Sequence, residues 1–246
     1  MPGPVQYAID KRGYEAHGFL IFDPRLPASL IHAAHADVRN MLDAQKAKRN
    51  PAARPAYRET DSDLHLKSEA VREIISHNAF HALASALIGP DADLRFCTTM
   101  TKTAESGEPL DWHQDWGLDR DPGHRRFSCW IALTDADVGN GCVQVLPGSH
   151  MVPIREHKAS KTHPPDRGID GVDESRAVPI ELAAGQVLVV HPQLIHGSGR
   201  NVSGKERMAV LSSYQEPKSV YDPFWAKAGM RFSKGDRKVW ESLPRT

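Results

Sequence analysis

The pattern of apolar residues changes at Pro90, and this change constrains the fold more than any other feature of the sequence. Before Pro90, apolar side chains recur every three or four positions, as on one face of a helix. After it come short runs rich in β-branched and aromatic residues, separated by turn-forming residues. This order predicts a mainly β fold, a double-stranded β-helix (a cupin-like jelly roll) buttressed by N-terminal α-helices.

The same patterns predict individual elements. Helices are predicted at 7–17, 27–47 and 68–87, and the polar segment 49–66 is predicted to be a loop. Strands are predicted at 18–22, 94–103, 111–116, 126–134, 141–146, 178–182, 186–191 and 207–215.

A chain of 246 residues suits one domain with a large core. We predict a single domain over 1–246, in which 1–90 is helical support, 91–216 is the jelly-roll core and 217–246 is a C-terminal tail. A polar insertion at about 151–177 interrupts the core, and insertions of this length are commonly functional lids. We therefore expect a lid over a pocket.

Charge and composition exclude several partners. Lys plus Arg and Asp plus Glu number 31 each, which gives no electrostatic reason to expect nucleic acid or an anionic membrane as partner. No apolar run is long enough to span a bilayer, and the N-terminus lacks the features of an export signal. The three cysteines are widely spaced and predicted to be reduced core thiols. We expect a cytoplasmic monomer or homodimer that acts on a small molecule.

Two His-x-Asp triplets are present, and only one has the geometry of a metal chelate. His35 and Asp37 fall in a predicted helix, where positions i and i+2 point about 200° apart. His113 and Asp115 fall in a predicted strand, where positions i and i+2 share a face. The second pair is therefore the candidate.

The third ligand is expected from a distant strand, and His191 and His196 are the two choices. Pro192 imposes a bend directly after His191, whereas His196 is followed by small residues that leave room beside a metal. We predict His196 as the ligand.

Two histidines and one carboxylate leave three positions of an octahedral metal open, as in iron(II) oxygenases that bind 2-oxoglutarate and O₂ together. The distal carboxylate of 2-oxoglutarate needs a cation, and a guanidinium fork fits it best. Arg207 opens a predicted strand that can reach this position, whereas Arg200 lies in a turn. Arg207 is the preferred anchor.

These residues resemble the phytanoyl-CoA dioxygenase family of iron and 2-oxoglutarate enzymes. The resemblance is carried by the runs at 18–22, 112–116 and 140–150, followed by His196, Ser198 and Arg207. It implies iron ligation by His113, Asp115 and His196, with O₂ as co-substrate and ascorbate as a stimulant. It also implies 2-oxoglutarate contacts from Arg207, Ser198, Gln114 and Trp130, and a mainly structural role for His150.

The resemblance further implies hydroxylation of an unactivated C–H bond of a small polar metabolite, with release of succinate and CO₂. Halogenase relatives have a small residue where Asp115 stands here, which favours hydroxylation. Trp112, Trp116, the lid and the segment 221–225 are candidate pocket walls, although Trp130 fits a plain core position and Ser198 a plain turn. Two other functions stay open: a zinc hydrolase with the same ligands, and a catalytically silent jelly-roll protein that binds a metal or a ligand.

Overall fold

The computed structural model describes residues 7–48, 61–104, 107–115, 125–160, 167–216 and 230–232. The helices are α1 Lys11–His17, α2 Ala28–Ala47, α3 Leu64–Lys67, α4 Glu69–Ile75 and α5 Asn78–Leu87. The strands are β1 Phe19–Phe22, β2 Ala92–Lys102, β3 Leu110–His113, β4 Arg126–Ala132, β5 Val143–Val145, β6 Lys158–Ala159, β7 Arg167–Gly168, β8 Val178–Ile180, β9 Val187–Val190, β10 His196–Ser198, β11 Arg207–Gln215 and β12 Met230–Phe232.

Two antiparallel sheets form the body of the molecule. The major sheet has six strands in the order β1-β9-β4-β11-β2-β12, and the minor sheet has four in the order β3-β10-β5-β8. Strands distant in sequence are neighbours in both sheets, as in a jelly roll. This arrangement confirms the predicted mainly β fold with a helical start.

Strand β4 shows why the two sheets enclose a pocket. All seven of its residues are buried. Phe127, Cys129 and Ile131 pack in one core cluster with the helices, whereas Trp130 and Ala132 pack in a second cluster with strands of the minor sheet. Helices therefore cover the outer face of the major sheet, and its inner face is left to the minor sheet and the pocket.

The helix predicted at 27–47 is confirmed to within one residue as α2, but the helix predicted at 68–87 is two helices. The chain leaves helical geometry at His77, which is extended and whose Nδ1 accepts a hydrogen bond from the Ala79 amide at 3.4 Å. Side chains that bond their own backbone compete with the helix at such positions. Apolar periodicity continues across the break, which is why the sequence pattern conceals it.

The predicted lid has secondary structure of its own. In the described part of 151–177, β6 pairs with β7, and a 3₁₀ turn follows at Glu174–Arg176. The amide of Ile169 donates to the carbonyl of Trp112 at 2.7 Å. The insertion is thus attached to strand β3.

The three cysteines, Cys97, Cys129 and Cys142, are buried and free, as predicted. Burial raises the pKa of each thiol. Among the described residues, the helices are all too short or too polar to cross a bilayer.

Gly18 ends α1 in the left-handed conformation, with φ +82°. A Cβ there would lie 2.5 Å from Nδ1 of His150 and 2.9 Å from a methyl carbon of Leu194. We expect Gly18→Ala to lower the free energy of unfolding by about 3 kcal/mol, measured by urea denaturation. Gly204→Ala is the control, because Gly204 has φ +70° but open space around it, and its cost is expected to be about 1 kcal/mol. Equal costs would show that the contact with His150 is unimportant.

Candidate functional site

The three predicted metal ligands meet at one edge of the minor sheet. Strands β3 and β10 pair with His113 directly opposite His196, and their ring centroids are 4.2 Å apart. Oδ1 of Asp115 lies 3.7 Å from Nε2 of His113 and 3.8 Å from Nε2 of His196. One ligand atom from each residue lies within 4.8 Å of the others, which is close enough for a single ion to bind all three. We call His113, Asp115 and His196 the metal group.

Strand β3 ends at His113, so the prediction of a strand over 111–116 is wrong at its C-terminal end. Asp115 reaches the group from the turn that follows, not from the strand face. The strand ends at His113 because the backbone amide of Gln114 donates to Nε2 of His157 at 2.9 Å instead of to a neighbouring strand. His157 belongs to the insertion.

The backbone orients both imidazoles. Nδ1 of His113 is 2.9 Å from the carbonyl of Asp111, and Nδ1 of His196 is 2.9 Å from the carbonyl of Leu194. Because a carbonyl can only accept, Nδ1 is the donor in each ring, and Nε2 is the atom that can bind a metal. Hydrogen bonds of this kind fix the orientation of metal-binding histidines.

His191 and His35, which the sequence does not favour as metal ligands, lie away from the metal group. The ring of His191 packs against Tyr14 and His150, with centroids 6.0 and 5.1 Å away. Burial, with help from the nearby His150, lowers the pKa of His191 to about 4. His35 faces Glu206, 3.3 Å from its carboxylate. The structure thus brings His196 to the metal group, as the sequence predicts.

A pocket opens between the two sheets beside the metal group. It is lined by the three ligand residues and, among others, by Lys102, Ser128, Trp130, Ser198, Arg207 and Leu211. The structure therefore places Ser198 and Trp130 at the pocket wall. Trp112 is not among the lining side chains in the described part of the chain, and Trp116 and the segment 221–225 lie outside it.

Arg207 is buried at one end of this pocket, with 3% of its surface exposed. Its guanidinium carbon lies 5.0 Å from the ring centroid of Trp130, in cation–π geometry. Nη1 donates to the carbonyl of Gly141 at 2.9 Å and Nη2 to that of Met100 at 3.1 Å. Burial lowers the pKa of Arg207 to about 10, so the group stays charged at neutral pH.

Lys102 is a second cation in this pocket, and the sequence pattern alone does not identify it. It stands opposite Arg207 in the register of β2 and β11, and it is equally buried. Its Nζ donates to the carbonyl of Gly199 and lies 3.5 Å from that of Ser198. A lysine at the end of strand β2 is the only sequence signal for it, and the signal gains meaning only when the strand pairing is known.

The residues at this end of the pocket fit an organic diacid. Within the described residues, Nε of Arg207 is buried and has no hydrogen-bond acceptor. A buried donor without an acceptor is costly, and a carboxylate would satisfy it. The Lys102 ammonium and the Ser198 hydroxyl line the same pocket, so a carboxylate bound there would meet two cations and a hydroxyl.

Gln114 joins three segments of the chain. Its Nε2 donates to the carbonyl of Gln193 at 2.7 Å, and its Oε1 accepts from the amide of Arg155 at 2.9 Å. It is fully buried and is not among the residues that line the pocket in the described part of the chain. These hydrogen bonds indicate that Gln114 holds the insertion against strand β3, which carries His113. This role differs from the 2-oxoglutarate contact that the resemblance implies.

We expect Gln114→Ala to lower the free energy of unfolding by about 2 kcal/mol, since it leaves two backbone groups without partners. Gln186→Ala is the matched control: the Gln186 amide accepts one exposed hydrogen bond, and its loss is expected to cost less than about 0.5 kcal/mol. Urea denaturation of both variants measures the difference. If Gln114→Ala unfolded like the wild type, the two side-chain hydrogen bonds of Gln114 would contribute nothing to stability.

Comparison with known proteins places these features in a family. A sequence model described as phytanoyl-CoA dioxygenase (PhyH) matches residues 14–209. Peroxisomal phytanoyl-CoA dioxygenase of Bos taurus is 29% identical over 145 residues, which are 54% of this chain and 42% of that protein. Ectoine dioxygenase of Bordetella parapertussis is 23% identical over 234 residues, 86% of this chain and 76% of that protein. The chain thus matches less than half of the length of the bovine relative.

A solved structure has the same fold. The apo form of the non-heme monooxygenase ThoJ superposes with a TM-score of 0.70 and 28% identity, covering 85% of this chain and 78% of ThoJ. ThoJ has also been solved as a nickel complex, which matches with a TM-score of 0.63. Because the family match extends over most of the chain and includes the paired strands and the metal group, this protein belongs to the phytanoyl-CoA dioxygenase family.

Proposed function

We propose that this protein is an iron(II)- and 2-oxoglutarate-dependent dioxygenase that hydroxylates a C–H bond of a small polar metabolite and releases succinate and CO₂. One observation carries the proposal: two histidines and a carboxylate lie in one pocket with two buried cations at its end. The metal group is typical of non-haem iron oxygenases, and the cations suit an organic diacid.

The residues have separate tasks in this proposal. His113, Asp115 and His196 hold the iron, which supplies O₂ activation coupled to decarboxylation of 2-oxoglutarate. Arg207 and Lys102 hold the distal carboxylate of the co-substrate, with Ser198 beside them. Trp130 and Leu211 keep water away from this end, where a charge-assisted hydrogen bond is stronger than in solvent.

The relatives support the same class of reaction. The bovine and Bordetella proteins are named dioxygenases, and ThoJ is a non-heme monooxygenase solved with nickel. A zinc hydrolase built on the same ligands would leave Arg207 and Lys102 without a function. A catalytically silent jelly-roll protein that only binds a metal or a ligand is disfavoured, because the metal ligands and the arginine at the end of the pocket are all intact.

The test is succinate formation. The protein is purified without oxygen, supplied with iron(II), ascorbate and 2-oxoglutarate, and exposed to O₂ with and without a panel of small metabolites. We expect succinate in the iron-loaded sample and none in a zinc-loaded sample. Hydrolase activity with zinc, or no succinate under any condition, would contradict the proposal.

We further propose that O₂ is the oxidant, that ascorbate stimulates turnover by keeping iron reduced, and that the protein acts in the cytoplasm as a monomer or homodimer. The balanced charge supports an enzyme that acts on small molecules rather than on nucleic acid. Size-exclusion chromatography with light scattering measures the oligomeric state, and a species larger than a dimer would contradict it.

A further inference from the structure

The insertion packs along strand β3, which carries His113. The amide of Ile169 donates to the carbonyl of Trp112 at 2.7 Å. The two segments also approach closely at Gly168, where an added Cβ would lie 2.8 Å from Cβ of Asp111 and 3.3 Å from the same carbonyl oxygen. Strand β3 thus has both β10 of the minor sheet and the insertion as neighbours.

The contact continues beyond the end of β3, at Gln114. Its side-chain Oε1 accepts from the amide of Arg155 at 2.9 Å, and its backbone amide donates to Nε2 of His157, also at 2.9 Å. One short stretch of the insertion, 155–157, therefore bonds both the side chain and the backbone of Gln114. This residue lies between two members of the metal group.

His157 is suited to accept this hydrogen bond. It is 4% exposed, and its Nδ1 lies 2.9 Å from the carbonyl of Arg155. Because a carbonyl can only accept, Nδ1 is the donor, and because a backbone amide can only donate, Nε2 is the acceptor. The backbone thus sets the role of both ring nitrogens and holds the ring in one tautomer and one orientation.

The direction of the backbone at Gln114 bears directly on Asp115. His113 ends β3 and is held by its pairing with His196. Asp115 lies beyond that pairing, and its side chain is 29% exposed, against 9% for His113. Its Oδ2 is 3.4 Å from the hydroxyl of Ser128, a long distance for a hydrogen bond to an oxygen. Such a bond fixes the carboxylate loosely, so the backbone at Gln114 sets its position.

We propose that His157 is a positioning residue for Asp115. By accepting the Gln114 amide, it fixes the backbone between His113 and Asp115 and keeps Oδ1 of the carboxylate 3.7 Å from Nε2 of His113, where one ion can bind both. Groups that orient a metal ligand typically raise metal affinity or activity by about 10–100-fold. This role rests on the proposed dioxygenase function, and it makes the insertion a part of the metal site.

Two amide substitutions test this role, because they differ in how far the acceptor reaches. In His157→Gln the side-chain oxygen can take the place of Nε2, whereas in His157→Asn it ends one methylene short, near the place of Nδ1. Untagged protein without metal is titrated with nickel(II) chloride in a calorimeter. We expect His157→Gln to bind nickel within about threefold of the wild type, and His157→Asn at least about tenfold more weakly.

His65→Asn is the matched control. His65 is also buried, but it lies in α3, which packs against α4, and its variant should bind nickel like the wild type. Nickel bound to other histidines is measured in His113→Ala/His196→Ala, which lacks both imidazoles of the metal group, and is subtracted. Circular dichroism checks that each variant is folded. An equal loss of affinity in His65→Asn and His157→Asn would reduce His157 to a general structural role and overturn the inference.

A second background shows whether His157 acts through Asp115. In Asp115→Ala the carboxylate is gone, so adding His157→Asn should lower nickel affinity by less than about twofold, against at least about tenfold in the wild type. An equal loss in both backgrounds contradicts the proposed role. So does equal affinity of folded His157→Gln and His157→Asn.

The wild type gives a check that needs no variant. Without metal, the Gln114 amide should exchange its hydrogen at least about 100-fold more slowly than in an unfolded chain, because it is bonded to a buried ring. NMR spectroscopy resolves this exchange for the single amide. Exchange at the rate of an unfolded chain would show that His157 does not hold the segment, and would overturn the inference.

The same measurements separate the positioning role from the function on which it rests. Nickel affinity that depends on His157 through Asp115, in protein that forms no succinate with iron(II), overturns the dioxygenase and keeps the positioning role. Succinate formed by the wild type, with equal nickel affinity in His157→Gln and His157→Asn, overturns the positioning role and keeps the dioxygenase.

Discussion

His196→Ala is expected to abolish iron-dependent succinate formation. Removing residues that merely orient a metal ligand typically lowers metal affinity or activity by about 10–100-fold, and removing the ligand itself should cost at least about 100-fold. Two ligands cannot hold the ion against solvent as three do, and the imidazole of His196 is the one contributed by β10. Succinate formation and iron binding, measured by metal analysis after dialysis, should fall together.

The matched control is His191→Ala. His191 is five positions earlier in the sequence, but its ring packs against Tyr14 and His150, away from the metal group. We expect this variant to retain iron and to form succinate at close to the wild-type rate. An equal loss of activity in the two variants would mean that the metal is not held by His113, Asp115 and His196.

Arg207→Ala is expected to raise the KM for 2-oxoglutarate by about 10- to 100-fold, the equivalent of one or two charge-assisted hydrogen bonds. The change removes a positioning contact and leaves the metal ligands in place, so iron should stay bound. Initial rates of succinate formation across 2-oxoglutarate concentrations measure the effect. Lys102→Met should act in the same direction, because Lys102 lines the same end of the pocket.

Arg200→Ala serves as the control for this experiment. Arg200 is exposed and forms an ion pair with Glu108, and it lies in a turn, so the sequence favours Arg207 as the anchor. Its removal should leave the KM for 2-oxoglutarate within about twofold of the wild-type value, as expected of an exposed ion pair. A larger effect from Arg200 than from Arg207 would show that Arg207 is not the anchor of the co-substrate.

Much of the fold and of the site could be predicted from the sequence, because the sequence patterns that indicate them are local. The apolar residues of α2 recur at helical spacing within 20 residues. Strand β11 contains a continuous run of apolar and hydroxyl-bearing residues, and its predicted and observed bounds are the same. The choice of His196 over His191 depended only on the neighbouring proline and glycines. Such features need no knowledge of which strands pair.

The remaining features are non-local. Lys102 acquires a role only because β2 pairs with β11 in the register that sets it opposite Arg207. The end of β3 at His113 depends on hydrogen bonds from Gln114 to segments about 40 and 80 residues away. The break at His77 depends on a side chain that competes with its own helix. Hydrophobic periodicity carries no information about any of these contacts.

The backbone carbonyls that hold Nδ1 of His113 and His196 have a consequence for metal loading. Both rings are locked in one tautomer and one orientation by the polypeptide itself, before any ion arrives. Capture of the ion then requires neither a proton shift within the rings nor a search among rotamers, so the fold supplies a preorganised receptor. Exchange of one divalent ion for another should leave the two imidazoles in place.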